Sequence, residues 1–196
     1  MKGLCKMRYV KWGFWVVAAV LLLGVLHYSL PQHDVVRITD TYEKRIDFGR
    51  NAMFFADGPR DAAGALQNRD VFFIQTTRAD GSVMVFRNED TGWGWPFYFK
   101  FDTANLQAEA SNFKSTAETP KWVAVRHYGW RNQLMSIYPN ATAIMPVAGP
   151  DDAPLPWRPV LILLLLAAVL RALYVRAARL WRGTITPRLG KLRKTA

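Results

Sequence analysis

The chain of 196 residues has one cysteine, Cys5, and three histidines. A single thiol excludes intramolecular disulfides, a CxxC redox pair and a c-type haem attachment site. No HxxxH or HExxH spacing occurs, so a zinc or haem site has no support in the sequence. GxSxG, Walker A and GxGxxG patterns are missing as well. The nearest approach, Gly92-Trp93-Gly94, lacks the third glycine and the strand-to-helix setting. No catalytic constellation and no cofactor are implied. The ends of the chain also lack negative charge: all 15 acidic residues lie between Asp34 and Asp152.

Two apolar runs explain that segregation. Trp12–Leu30 carries no Asp, Glu, Lys or Arg over 19 positions. As a helix it would reach roughly 28 Å, close to the hydrocarbon thickness of a bilayer. Trp12 and Trp15 at one end and Tyr28 at the other have the spacing of interfacial anchors. No small-x-small cleavage site follows the run, which favours an uncleaved signal-anchor over a secretory signal peptide. The second span is expected over residues 157–176, begun by Trp157 and interrupted by Arg171. Arg171 stands about 21 Å beyond Trp157 along a helix, near enough to an interface for its side chain to snorkel. Trp181 adds a further anchor in the tail.

Charge sets the expected orientation. Residues 1–11 carry four Lys/Arg and residues 171–196 carry eight, with no acid in either. The positive-inside rule puts both basic ends in the cytoplasm and the middle in the periplasm of a bacterial inner membrane. The tail 177–196 mixes its charges with Leu180, Trp181, Ile185 and Leu189. That texture suits an anionic lipid surface better than nucleic acid, which is not an expected partner.

Residues 31–156 are long enough for one domain with its own core. Their pattern is β-rich. Val35–Ile46 is dense in β-branched residues, and Asp70–Arg78 and Ser82–Arg87 flank an Asp80-Gly81 hairpin turn. Trp95–Asp102 reads as an aromatic strand, followed by a short helix over Ala104–Asn112 capped by Asp102 or Thr103. Trp122–Tyr128 and Leu134–Tyr138 read as a second hairpin, with one more strand over Ala141–Val147. This order suits a small OB-like barrel with its helix between the third and fourth strands. An open antiparallel sheet carrying one helix suits it nearly as well.

Polar clusters are few. Glu89-Asp90 and Asp151-Asp152 read as solvated turns. Arg126, His127, Tyr128 and Arg131 are the best group of reactive side chains, although a solvated strand rim accounts for them equally. The segment Trp93–Phe99 packs five aromatics into seven residues. It reads as a core strand in which Trp95 is buried and Trp93, between two glycines, is exposed. The alternative is a sticky surface for the bilayer or a partner.

The run from Lys121 through Trp122-Val123-Ala124-Val125-Arg126-His127-Tyr128-Gly129-Trp130-Arg131, continuing to Leu134 and Ser136–Ala141, resembles an uncharacterised bacterial family. It is the domain-of-unknown-function family numbered fifteen twenty-three, found mainly in alphaproteobacteria. Asp34–Asp47 and Gly92–Asp102 are similar to other parts of that family. The resemblance covers most of the chain and implies no activity, cofactor or catalytic residue. The expected function is that of a non-enzymatic inner-membrane protein whose periplasmic β-domain binds an envelope or membrane protein. One alternative is an accessory subunit of a respiratory or photosynthetic complex. Another is a ligand binder or enzyme built on Arg126, His127, Tyr128 and Arg131.

Overall fold

The computed structural model describes residues 2–47, 54–55 and 68–180, with side chains described from Tyr9 onward. Helix α1 (Lys2–Ser29) leads into strands β1 (Gln32–Ile46), β2 (Arg69–Thr77) and β3 (Val83–Asn88). Helix α2 (Thr103–Asn112), strands β4 (Trp122–Tyr128) and β5 (Asn140–Pro146), and helix α3 (Trp157–Leu180) follow. The chain divides into two units, Met1–Leu155 and Pro156–Ala196.

In the first unit the strands form a mixed sheet that closes in the order β1-β2-β3-β5-β4. Closure depends on the length of β1. Its first half, Gln32–Arg37, pairs antiparallel with β4, and from Arg37 onward it pairs with β2. An irregularity between Ile38 and Asp40 bends the strand where it changes partner, as a bulge does. The remaining seam is parallel and short, Arg87 opposite Asn140. A parallel pair needs a long crossover, here supplied by α2 and β4.

The core follows from the inward residues of these strands. Val36, Ile38, Ile74, Phe86, Val123 and Val125 are fully buried, and α2 adds Leu106 and Ala110 to the same cluster. Helix α2 begins where the Asp102 carboxylate accepts a hydrogen bond from the Asn105 N–H at 2.9 Å. That interaction satisfies one of the donors left open in the first turn. Gln107 and the Thr103 carbonyl then take both hydrogens of the Asn88 side-chain amide, each at 2.9 Å. The helix is thereby pinned to the end of β3.

The β2–β3 hairpin turns as its Asp-Gly pair requires. Gly81 has φ +81°, and Arg78 donates its N–H to the Ser82 carbonyl at 2.9 Å. Two other expectations need correction. Trp95–Asp102 is not a strand: it belongs to a loop that folds back on itself, Thr91 and Gly92 donating to the Lys100 carbonyl at 3.1 Å. Phe99, at φ +51°, turns the chain within this loop. Leu134–Tyr138 is not a strand either. Asn132 and Ile137 exchange both backbone hydrogen bonds across it, and Ser136 at φ +51° closes the turn. The antiparallel partner of β4 is β5.

Helices α1 and α3 each contain a stretch, Tyr9–Ser29 and Trp157–Leu180, long and apolar enough to cross a membrane by length and composition. No residue of either apolar window is buried in the protein. Both helices run past the bounds expected from the sequence: α1 starts before residue 12 and α3 continues to Leu180.

The Phe86 ring fills the centre of the core, so Phe86→Ala is expected to cost about 3–5 kcal/mol. Denaturant unfolding of the full chain in detergent measures that loss.

Candidate functional site

The last turn of any helix leaves carbonyl groups with no partner in the helix. In α1 the β-domain supplies partners. The Tyr98 hydroxyl donates to the Ser29 carbonyl at 2.7 Å, and the Gly129 N–H donates to the Tyr28 carbonyl at 2.9 Å. The side-chain amide of Gln32 donates to the His27 carbonyl at 2.9 Å. Gly129 sits at φ +94°, and a Cβ there would lie 3.5 Å from both Tyr28 and Pro139. Glycine therefore allows β4 to run up against the helix end.

Aromatic rings extend this joint. Trp95 stacks on Tyr28 with centroids 5.7 Å apart, and Trp130 and Tyr128 meet the same ring edge-on at 5.4 and 6.1 Å. Tyr98 stacks on Tyr128 at 4.8 Å. The Trp130 indole N–H donates to His27 Nδ1 at 2.9 Å. The loop bearing Trp95 and Tyr98 also carries an exposed cluster, Trp93, Phe97, Phe99 and Phe101, and the loop after Trp130 exposes Leu134 and Met135. Trp93 touches both Phe99 and Phe101, with centroids 5.4 and 5.6 Å apart.

The alternation that reads as a strand is thus turned outward. Trp93, Trp95, Phe97, Phe99 and Phe101 are all more than half exposed, whereas Pro96 is buried and Lys100 half-buried. The expectation that Trp93 is exposed agrees with its 78% accessibility, but Trp95 at 55% is not a core residue. Among the described residues its ring stacks on Tyr28 alone.

A polar layer lies behind the aromatic joint. Arg87, Asn88, Glu89 and Asn140 are all buried. The Glu89 carboxylate pairs with Arg87 and, at 2.6 Å, with Arg69. Arg87 also donates to the Tyr138 carbonyl at 3.0 Å. The Asn140 side chain accepts from the Glu89 N–H and donates to the Glu89 carbonyl, both at 3.0 Å. Lys100 Nζ donates to Asn88 and, at 3.0 Å, to the Ala141 carbonyl. Glu89 is therefore no solvated turn residue: bracketing by two guanidinium groups holds it inside. Burial pushes the Lys100 amine down to about 7, against the opposing pull of Asp90 and with the help of Arg87. Burial likewise raises the Tyr98 and Tyr128 hydroxyls.

The four residues grouped in the sequence do not converge. Arg126 donates to the Thr142 hydroxyl at 3.0 Å, and Arg131 lies over the Tyr138 ring while holding the Ile137 carbonyl at 2.9 Å. Tyr128 belongs to the aromatic joint. His127 is buried, with Nε2 3.3 Å from Asp34, whose carboxylate also binds Arg78 at 2.9 Å. Burial works against the Asp34 charge, but His127 and Arg78 outweigh it and lower the carboxyl below its ordinary value. Among the described residues no group of three or more His, Cys, Asp and Glu side chains could hold a metal. Of the expected membrane anchors, Trp12, Trp15 and Trp157 are exposed, as is Arg171, and Tyr28 is half-buried. Trp181 lies outside the described residues.

Sequence reading missed the Arg87–Glu89 pair and took Trp95 as core, while the outward-facing aromatic surface was its alternative reading. The i, i+2 spacing of Arg87 and Glu89 at the end of β3 was the available signal, since it puts both on one face.

The Lys100 environment yields a pH test. The folded protein holds this amine at about 7, and the unfolded chain near its ordinary 10.5. Between those values the unfolded chain binds the additional proton, so stability rises with pH from about 7 and is lowest below it. The raised tyrosines act oppositely, and only above 10; Asp34 acts in the same sense as Lys100, but only in acid. Unfolding midpoints of the full chain between pH 7 and 9.5 are expected to climb, and Lys100→Met to flatten the slope.

Residues 7–182 match the family described as Protein of unknown function (DUF1523). An uncharacterized protein of Haemophilus influenzae is 41% identical over 133 residues, covering 68% of this chain and 71% of the relative. No solved structure matches the chain. The family match begins in α1, takes in the five described strands and extends past Leu180, so the chain belongs to the DUF1523 family of proteins of unknown function.

Proposed function

We propose that the protein is a non-enzymatic docking module of the bacterial inner membrane. In this reading α1 and α3 cross the bilayer and both basic ends contact anionic lipid in the cytoplasm. The OB-like β-domain stands in the periplasm and binds an envelope or membrane protein. The observation that carries this reading is the exposed cluster of Trp93, Phe97, Phe99 and Phe101 on the loop whose Trp95 and Tyr98 hold the end of α1. Four large aromatic side chains facing water would be a costly patch on a free domain. At the end of an apolar helix Trp93 matches the interfacial layer, where Trp and Tyr gather, and the three phenylalanines match the apolar layer just beneath it. The cluster then seats the domain on the membrane surface.

The polar residues support a binding role. Arg87, Glu89, Asn88, Asn140 and Lys100 are committed to one another, which fixes the loop bearing the aromatics. Arg126, His127, Tyr128 and Arg131 each serve a different neighbour.

Cysteine labelling in spheroplasts, on a Cys5→Ser background, tests this reading. A cysteine in place of Asp80 is expected to react with an impermeant maleimide from the periplasmic side. One replacing Phe97 is expected to react slowly and to give a blue-shifted signal with a polarity-sensitive dye. Fast reaction and a water-like spectrum at position 97 would contradict the seating, and failure to label position 80 from outside would contradict the orientation.

A further inference from the structure

Below the aromatic joint, an open groove of about 430 Å³ runs along α1. Its floor is the helix face Val20, Leu21, Gly24 and Val25, with Tyr28 at the upper end, and its walls are Trp95, Trp130 and Phe54. The size lies within the ordinary range of small-molecule sites, roughly 300–1,000 Å³. We infer that this groove holds one acyl chain of a membrane lipid, with the Trp95 and Trp130 rings closing over it. The inference rests on the membrane reading above and deepens it by naming the ligand.

Three observations select the ligand. First, the floor belongs to the apolar stretch Tyr9–Ser29. Tyr28 at its upper end marks the interface, and Val20 lies eight residues deeper, roughly 12 Å along the helix. The groove therefore opens toward hydrocarbon and its ligand must be apolar. Second, no charged side chain lines it, and the Trp130 indole N–H is already given to His27. Of the described lining residues the Tyr28 hydroxyl, at the upper end, is left to meet a hydrogen-bonding group, and the depth of the groove is apolar.

Third, the floor is the wrong shape for a helix. Transmembrane helices approach closely along stripes of small residues spaced by four. Here Gly24 is flanked one turn away by Val20 and Tyr28, both bulky. A Cβ at Gly24 would already lie 3.9 Å from the Trp130 ring. A helix about 10 Å across does not reach that glycine, whereas a flexible chain one methylene wide does.

The test uses the full chain reconstituted in vesicles of phosphatidylethanolamine and phosphatidylglycerol that include a phosphatidylethanolamine with a diazirine on one acyl chain. After illumination, adducts are mapped by peptide mass. The segment Val10–Val16, exposed on the same helix, serves as the baseline for contact with bulk lipid. Adducts are expected to concentrate on Val20–Tyr28, Trp95 and Trp130 above that baseline. Gly24→Leu and Leu21→Trp, which fill the groove from two positions, are each expected to lower the groove adducts several-fold and leave the baseline unchanged. Equal labelling of groove and baseline, unmoved by either variant, would overturn the inference while leaving the membrane reading intact. Groove residues shielded from lipid, with the baseline labelled, would overturn it in favour of a protein ligand. No labelling anywhere on α1 would overturn the membrane reading as well.

Discussion

The carbonyls at the end of α1 need partners, and the β-domain provides them. Tyr98, Gly129 and Gln32 each donate a hydrogen bond to one of the last residues of the helix. The reach differs widely: Gln32 is adjacent in sequence, whereas Tyr98 and Gly129 come from separate loops some 70 and 100 residues on. Holding those loops in place is the task on which the rest of the domain depends. The parallel seam at Arg87 and Asn140 brings the end of β3 beside the start of β5, and with them the loops before and after. The helix and the β-domain are joined by hydrogen bonds and ring contacts, and not by a flexible tether.

Buried charge is tolerated in this region because it is paired. Arg87 is 2% exposed, and its cost of desolvation is offset only because Glu89 and the Tyr138 carbonyl take its hydrogens. Glu89 in turn is shared with Arg69. Lys100 has no carboxylate contact in its hydrogen bonds to Asn88 and Ala141, and its amine is correspondingly easy to neutralise. The layer fixes Thr91 to Lys100, the base of the aromatic loop. Polar residues inside thus position apolar residues outside, the reverse of the usual arrangement.

Much of the β-domain was legible from local chemistry. Trp122–Tyr128 was read at the bounds the structure gives, because β-branched residues alternate there between Lys121 and Gly129. The Asp80-Gly81 turn and the Asp102 cap were legible because each needs only its own few residues. Trp95–Asp102 was misread since alternation says which residues share a face but not which medium that face meets. In water the aromatic face belongs inside. Beside an apolar helix it belongs outside, and only the tertiary position of α1 tells the two apart. Leu134–Tyr138 failed for a different reason: Asn132 and Ile137 closed a turn across a run with strand composition. The buried Glu89 was misread because the adjacent acids Glu89-Asp90 have the composition of a solvated turn, and the second guanidinium that holds it, Arg69, is 20 residues distant. Even so, the two apolar runs and the segregated charges identified the helices before any geometry.

The central claim is that α1 and the β-domain form one rigid body joined at the helix end. Double electron–electron resonance in reconstituted vesicles measures it directly, with spin labels replacing the exposed residues Val16 and Asp80 on a Cys5→Ser background. A single narrow distance distribution is expected, broadening when Tyr98→Phe and Trp95→Ala together remove a hydrogen bond and a stacked ring from the joint. A broad distribution already present in the parent protein, unchanged by those substitutions, would contradict the account.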